Sequence, residues 1–238
     1  MSICNFDDTL PLPDEVDREF RDNAGDDLTA LAWLAENDID PAPILEHVGR
    51  IALIQYGMIW NPETGRYRFL IHAPGHVGPK HLPELAVPII EDGTFVDMLF
   101  ISNDGTSFAR ATCRASWLGR EYLTSQLGDL VKSPKTPKKP NKISVRLHAH
   151  PMDWLAAGCT GVCHIEPVSR KALKDLRAVK TILCNDIHTA LEAWDWGFGA
   201  DDDNLARFSI DDSPGNISAY YEDDFKWRTA SKEARYGS

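Results

Sequence analysis

The sequence has no apolar stretch that approaches the roughly 18–20 residues a membrane-spanning helix needs, so no membrane partner is expected. It is short of positive charge: 25 Lys and Arg stand against 36 Asp and Glu, giving a net charge of −11. Affinity for phosphate backbones comes mainly from Lys and Arg, so any nucleic-acid role requires a local basic patch. Cysteine is scarce, with five in 238 residues, an odd number without regular spacing. A disulfide framework is therefore not expected, and a reducing compartment is. The opening residues, MSICNFDDTLPLPDEVDREF, are acidic and lack the charged-then-apolar pattern of a signal peptide. The expected location is cytoplasmic. There is no Gly-x-Ser-x-Gly elbow, no Gly-Lys-Ser/Thr phosphate loop and no internal repeat.

What is present suffices for a core, since 43% of the residues are hydrophobic. Residues 1–26 read as a flexible acidic arm. Residues 27–131 read as an α+β region. Leu28, Leu31, Leu34 and Ala35 have helical spacing, and Pro41–Val48 starts a second short helix. Arg50–Trp60 and Arg66–His72 flank the turn cluster Asn61-Pro62-Glu63-Thr64-Gly65, which predicts a hairpin. Leu85–Ile90, Thr94–Ser102 and Thr106–Cys113 are separated by the Asp-Gly turns at 92–93 and 104–105, which predicts an antiparallel meander. Glu121–Leu130 reads as a helix.

Residues 132–142 carry Lys132, Lys135, Lys138, Lys139 and Lys142 with three prolines and no apolar residue. This is an extended solvated linker and also the one concentrated basic patch, hence the candidate nucleic-acid contact. Residues 143–200 then read as strand and helix in alternation: Ile143–His148, Pro151–Gly158, Gly161–Ile165, Ser169–Ala178, Lys180–Cys184 and His188–Trp196. That order predicts βαβ units on a parallel sheet. Ala206–Ile210 suggests an edge strand within an acidic and aromatic tail, residues 201–238. The fold class expected is α+β: an antiparallel N-terminal β layer with helices, followed by a small α/β module (βαβαβα).

In parallel sheets function sits at the carboxyl ends of strands. Here those ends hold His148, His150, Glu166, Asp186 and His188. His148, His150, Asp186 and His188 are candidate ligands for a transition metal, with Cys184 or Glu166 as a further donor. The opposing reading buries His148 and Cys184 in the sheet and uses His150 and His188 as helix caps. Cys159 and Cys163 are spaced C-x₃-C, not the C-x₂-C of zinc ribbons or thioredoxin-like sites, and read as buried thiols. The loop from His72 to His81 reads as a connection that can carry ligand contacts.

The stretch His81–Glu121 contains Leu85-Ala86-Val87-Pro88, Asp92-Gly93, Phe100-Ile101-Ser102-Asn103-Asp104-Gly105 and Leu118-Gly119. In that order of motifs it resembles the region just before the catalytic Toprim domain of phage and plasmid primases. The following alternation is similar to Toprim in order and length. In that family the first strand ends in Glu-Gly, a helix follows with an Asp-Ala pair, and a later strand ends in Asp-x-Asp. Here the matching stretches are Val145–His150, Asp153–Gly158 and Ile182–His188. The resemblance implies a Toprim-like scaffold whose acid/base Glu is replaced by Ala149 and its Gly by His150. The first Asp remains as Asp186 and the second is His188. One carboxylate of three is a poor Mg²⁺ site.

The resemblance thus implies a catalytically degenerate, primase-related accessory protein of a mobile element, acting in DNA transactions. Its partners would be single-stranded DNA or a replication protein, and no cofactor is expected. Two alternatives stand beside it. One is an active enzyme of phosphoryl transfer or phosphoester hydrolysis, using Mg²⁺ or a transition metal held by Asp186 with Glu166 or the histidines. The other is an acidic protein-interaction module that binds no nucleic acid.

Overall fold

The computed structural model describes residues 9–72, 82–127, 143–165, 174–198, 204 and 207–210. They fall into two compact units. The first comprises Met1–Glu121 with His150–Thr160, and the second Tyr122–Ala149 with Gly161–Ser238. The helix Pro151–Ala156 groups with the first unit.

In the first unit three helices, α1 (Pro13–Asn23), α2 (Leu28–Glu36) and α3 (Pro41–Val48), precede the sheet. The acidic arm is therefore not free chain. Val16 and Phe20, one helical turn apart, are buried with Ala24 against Ile54, Phe69, Met98 and Phe100. Its charge concealed this spacing: Val16 and Phe20 are the only large apolar side chains in α1, yet two at i and i+4 define a buried stripe. At α3, Asp40 caps the helix by accepting the Ala42 amide at 3.0 Å.

The sheet runs β2-β1-β3-β4-β5, with every neighbouring pair antiparallel. Its strands are β1 (Ala52–Asn61), β2 (Arg66–His72), β3 (Glu84–Glu91), β4 (Thr94–Ile101) and β5 (Phe108–Arg110). The expected hairpin and meander are both present. Asp92 and Gly93 take φ of 51° and 73°, as a tight hairpin turn with two left-handed residues requires. β5 is shorter than expected, because the chain after Arg110 leaves the ladder to wrap a buried carboxylate. Asp97 is fully buried, and its two oxygens accept the amides of Met98, Thr112, Arg114 and Ala115 at 2.8–3.3 Å. The Thr112 hydroxyl donates to the carbonyl of Val96, the extra residue of a bulge between β3 and β4. A short strand β6 (Trp117–Leu118) and helix α4 (Arg120–Leu127) follow.

β2 is an outer strand, and its outer edge is covered. The Tyr67 amide donates to the Thr9 carbonyl at 2.6 Å, and the Ile71 amide to Glu19 Oε1 at 3.0 Å. An N-terminal backbone group and a helix side chain thus occupy positions where another strand would pair.

The second unit contributes β7 (Ser144–His148), β8 (Val162–His164), β9 (Thr181–Cys184) and β10 (Phe208–Ile210), in the order β10-β9-β7-β8. All three pairings among them are parallel. The expected edge strand is thus β10. Its alternating burial matches a strand packed by one helix: Phe208 meets Phe198 of α6 (Ile187–Phe198) edge to face at 5.6 Å, α5 being the helix Pro151–Ala156. Of the expected helix Ser169–Ala178, the first five residues lie outside the described ones, and Lys174–Ala178 forms a 3₁₀ helix. Leu176 and Val179 are buried there. Arg177 Nε donates to the Gly197 carbonyl at 2.8 Å, which occupies a C-terminal carbonyl of α6.

Candidate functional site

The strand order fixes where a site should lie. The chain runs from β7 out to β8, crosses back to β9 and continues to β10, so the order reverses between β7 and β9. In open parallel sheets the crevice beyond the carboxyl ends at such a reversal is the usual ligand site. Leu147 pairs with Cys184, which brings His148 and Ala149 on one strand alongside Asn185 and Asp186 on the other.

Asp186 is the N-cap of α6. Ala190 donates its amide to the Asp186 carbonyl at 3.3 Å, the first bond of the helix. The Thr189 amide donates to Asp186 Oδ1 at 2.9 Å and the Thr189 hydroxyl to Oδ2 at 2.7 Å. Partial burial pushes the Asp186 carboxyl up, but the Thr189 amide and hydroxyl, the His188 amide and the nearby His188 ring outweigh it, and the net effect is a carboxyl held below its ordinary range. Asp186 is thus ionised at neutral pH with both oxygens already engaged. Each oxygen keeps a further lone pair, so an outer cation can still be met, at a carboxylate oriented by its helix.

His188 is exposed on the first turn of α6. His148 is buried at the end of β7, and Cys184 is buried opposite Leu147. Ala149, where the resemblance implies the acid/base Glu, is exposed and carries no functional group. His150, in the first unit, caps α5: its Nδ1 accepts the Met152 amide at 3.2 Å. The proton of the neutral ring therefore sits on Nε2, which is buried without a hydrogen-bond partner among the described residues. Its ring meets Phe108 edge to face at 5.5 Å. Burial lowers the affinity of His150 for a second proton, against the opposing charge of Asp153.

His148, Asp186 and His188 belong to the second unit and His150 to the first. Among the described residues, no three His, Cys, Asp or Glu side chains come together in a way that would hold a metal ion. Glu166 and the five lysines Lys132, Lys135, Lys138, Lys139 and Lys142 lie outside the described residues, as does the loop 73–81. Cys159 and Cys163 are buried thiols, and burial, reinforced by Glu121, pushes Cys159 up to about 12. Trp154 and Trp194 are buried and not available to stack bases.

Arg146 was missed at the sequence level. Its guanidinium Nη1 donates to Asn185 Oδ1 at 3.0 Å, tying β7 to the loop after β9. Its signal was there to find, as a cation inside an otherwise apolar strand, Val145-Arg146-Leu147. Gly161 supports it from below. With φ of +77°, a Cβ there would lie 2.6 Å from the Arg146 carbonyl oxygen and 3.0 Å from its Cβ, so only glycine lets the chain enter β8 so close to β7.

Among the described residues no helix is long and apolar enough to cross a membrane. No protein-family model matches the chain, and no curated protein or solved structure matches it significantly.

Proposed function

We propose that this protein is a Toprim-like, primase-related accessory factor of a mobile element, which holds single-stranded DNA or a replication protein and has lost most of the phosphoryl-transfer chemistry of that fold. The observation that carries the reading is the engagement of Asp186. It is the one carboxylate retained at the positions the resemblance assigns, and both its oxygens are held by Thr189 within its own helix cap. Ala149 and His188 stand where the other two carboxylates would be, so a Mg²⁺ ion would find one anionic ligand instead of three. Arg146 adds a cation to the same strand ends, a group suited to phosphate oxygens.

The test is binding of a fluorescent oligothymidylate, followed by anisotropy as salt is raised. Binding at low salt with a steep negative salt slope is expected. Replacing Lys132, Lys135, Lys138, Lys139 and Lys142 by Gln should reduce that slope by up to about 3.5, since each single-strand phosphate neutralised by a lysine adds about 0.7. Absence of binding at low salt overturns the nucleic-acid reading. Thermal stabilisation by Mg²⁺ or Mn²⁺ that Asp186→Ser abolishes would instead support the metal-dependent enzyme.

A further inference from the structure

The row of side chains that packs under α1 on the β1–β2 hairpin ends in an exposed pair. In the register of the two strands Tyr56 pairs with Ile71, Met58 with Phe69 and Trp60 with Tyr67. These alternate positions share one face of the sheet. Phe69 is buried, and Tyr56, Met58 and Ile71 are half-buried around the same core. The last pair lies outside it: Trp60 is 47% exposed and Tyr67 37%. Their rings meet edge to face, 5.2 Å apart at 69°. Single exposed apolar side chains are ordinary, but two adjoining aromatic rings form a surface that offers π faces to a cation.

The charge around this corner is predominantly negative. Residues 1–28 hold nine Asp and Glu against two Arg and no Lys. Residues 1–8 add Asp7 and Asp8 to that count and no cation. Five of the acids are on α1. Tyr67 lines one cleft of about 410 Å³ with Glu15, Glu19 and Asp22 of that helix, together with Arg18 and Arg68. Glu19 accepts the Ile71 amide, a neutral donor that leaves the carboxylate its charge. On the hairpin, Glu63 stands against Arg66 and Arg68, so over both stretches the acids outnumber the basic residues ten to four. Aromatic faces attract Lys and Arg at short range, and the carboxylates attract them from further away. The same charge repels phosphate.

We propose that the Trp60–Tyr67 corner docks a basic segment of a partner protein, with Lys or Arg side chains against the two rings and the α1 carboxylates beside them. This concerns the first unit alone and does not rest on the nucleic-acid reading of the second.

The experiment uses the full chain and a fluorescent peptide, acetyl-Lys-Gly-Arg-Gly-Lys-Gly-Arg-amide, followed by anisotropy at low salt. The control peptide carries Glu in place of Lys and Arg. The basic peptide should bind and the acidic one should not. Trp60→Ala should weaken binding about fivefold and Trp60→Phe much less, since a phenyl face still attracts a cation. Tyr67→Ala, a second variant in case the first perturbs folding, should show a similar loss. Glu15→Gln and Asp22→Asn should each weaken binding about threefold, as partly exposed charges do. Wild-type affinity in both aromatic variants would leave net charge alone to hold the peptide and overturns the proposal. So does absence of binding, or binding that appears only after residues 1–8 are removed. Weakened binding of an oligothymidylate by Trp60→Ala would give the corner to nucleic acid and overturns it as well.

Discussion

Asp97 Oδ1 accepts the amide of Thr112 at 2.8 Å, across fifteen residues of chain. This hydrogen bond and those from the Arg114 and Ala115 amides turn the loop after β5 back onto the β3–β4 bulge, while the Met98 amide joins them from β4 itself. Four backbone donors that would otherwise be buried or half-buried without partners are satisfied by one side chain. Asp97→Ala should therefore cost about 3–5 kcal/mol, since it orphans several amides at once. Urea unfolding of the full chain measures it. Asp97→Asn keeps a single acceptor oxygen and should fall between wild type and Ala. A loss below about 1 kcal/mol for Asp97→Ala would show that the loop holds without its anchor.

Gly161→Ala combines an unfavourable left-handed φ with a collision against the Arg146 backbone. Neither neighbour is the far end of a flexible side chain, so β8 must shift. The expected cost is about 2–4 kcal/mol, read as a lower unfolding midpoint. A neutral result would mean that β8 approaches β7 less closely than described.

Asp186 tests the cap against the catalytic role. Asp186→Ala should cost about 1–2 kcal/mol and Asp186→Ser much less, because a hydroxyl still accepts the Thr189 amide. The pH dependence has a definite sign. The folded carboxyl lies below its unfolded value, so its stabilisation is complete at neutral pH and is lost as pH falls through the folded value. Equal losses for Ser and Ala at pH 7 would argue against the cap.

His150 gives the opposite class of titration, a base whose folded value is lowered. Above its ordinary value near 6.5 the folded and unfolded forms are both neutral and nothing is lost. As pH falls below that, the unfolded chain binds a proton that the buried ring resists, and stability declines until the folded value is passed. Thermal unfolding from pH 7.5 to 5 should show this decline, and His150→Asn, which still caps α5, should flatten it. An unchanged profile in the variant would assign the decline to other groups.

Much of the fold was legible because its signals are local. The Asp92-Gly93 turn, the Asn61–Gly65 cluster and the alternation after Ile143 each mark elements by short-range chemistry; the two turns appear in place, and so do the three strands of the alternation, β7, β8 and β9. α1 was hidden because two apolar residues among seven charges look like solvated chain until the partners Phe69 and Phe100 are present to bury them. The candidate site was only partly legible. Asp186 and His188 could be picked out as strand-end residues, but the hand of Thr189 on Asp186 and the reach of Arg146 to Asn185 depend on a helix start and a strand register that spacing does not fix. Asp97 did carry a signal, a lone acid between Val96 and Met98 in an apolar strand, and such a residue has to be satisfied somewhere.

The covering of β2 by Thr9 and Glu19 bears on how much of the N-terminus can be removed. A chain cut just before Leu28, at the composition boundary, would lose Val16 and Phe20 from the core and uncover the outward amides of Tyr67 and Ile71. The shortened protein would then present a seven-residue strand edge beside the exposed Trp60 and Tyr67, and its failure would take the form of self-association during expression and storage.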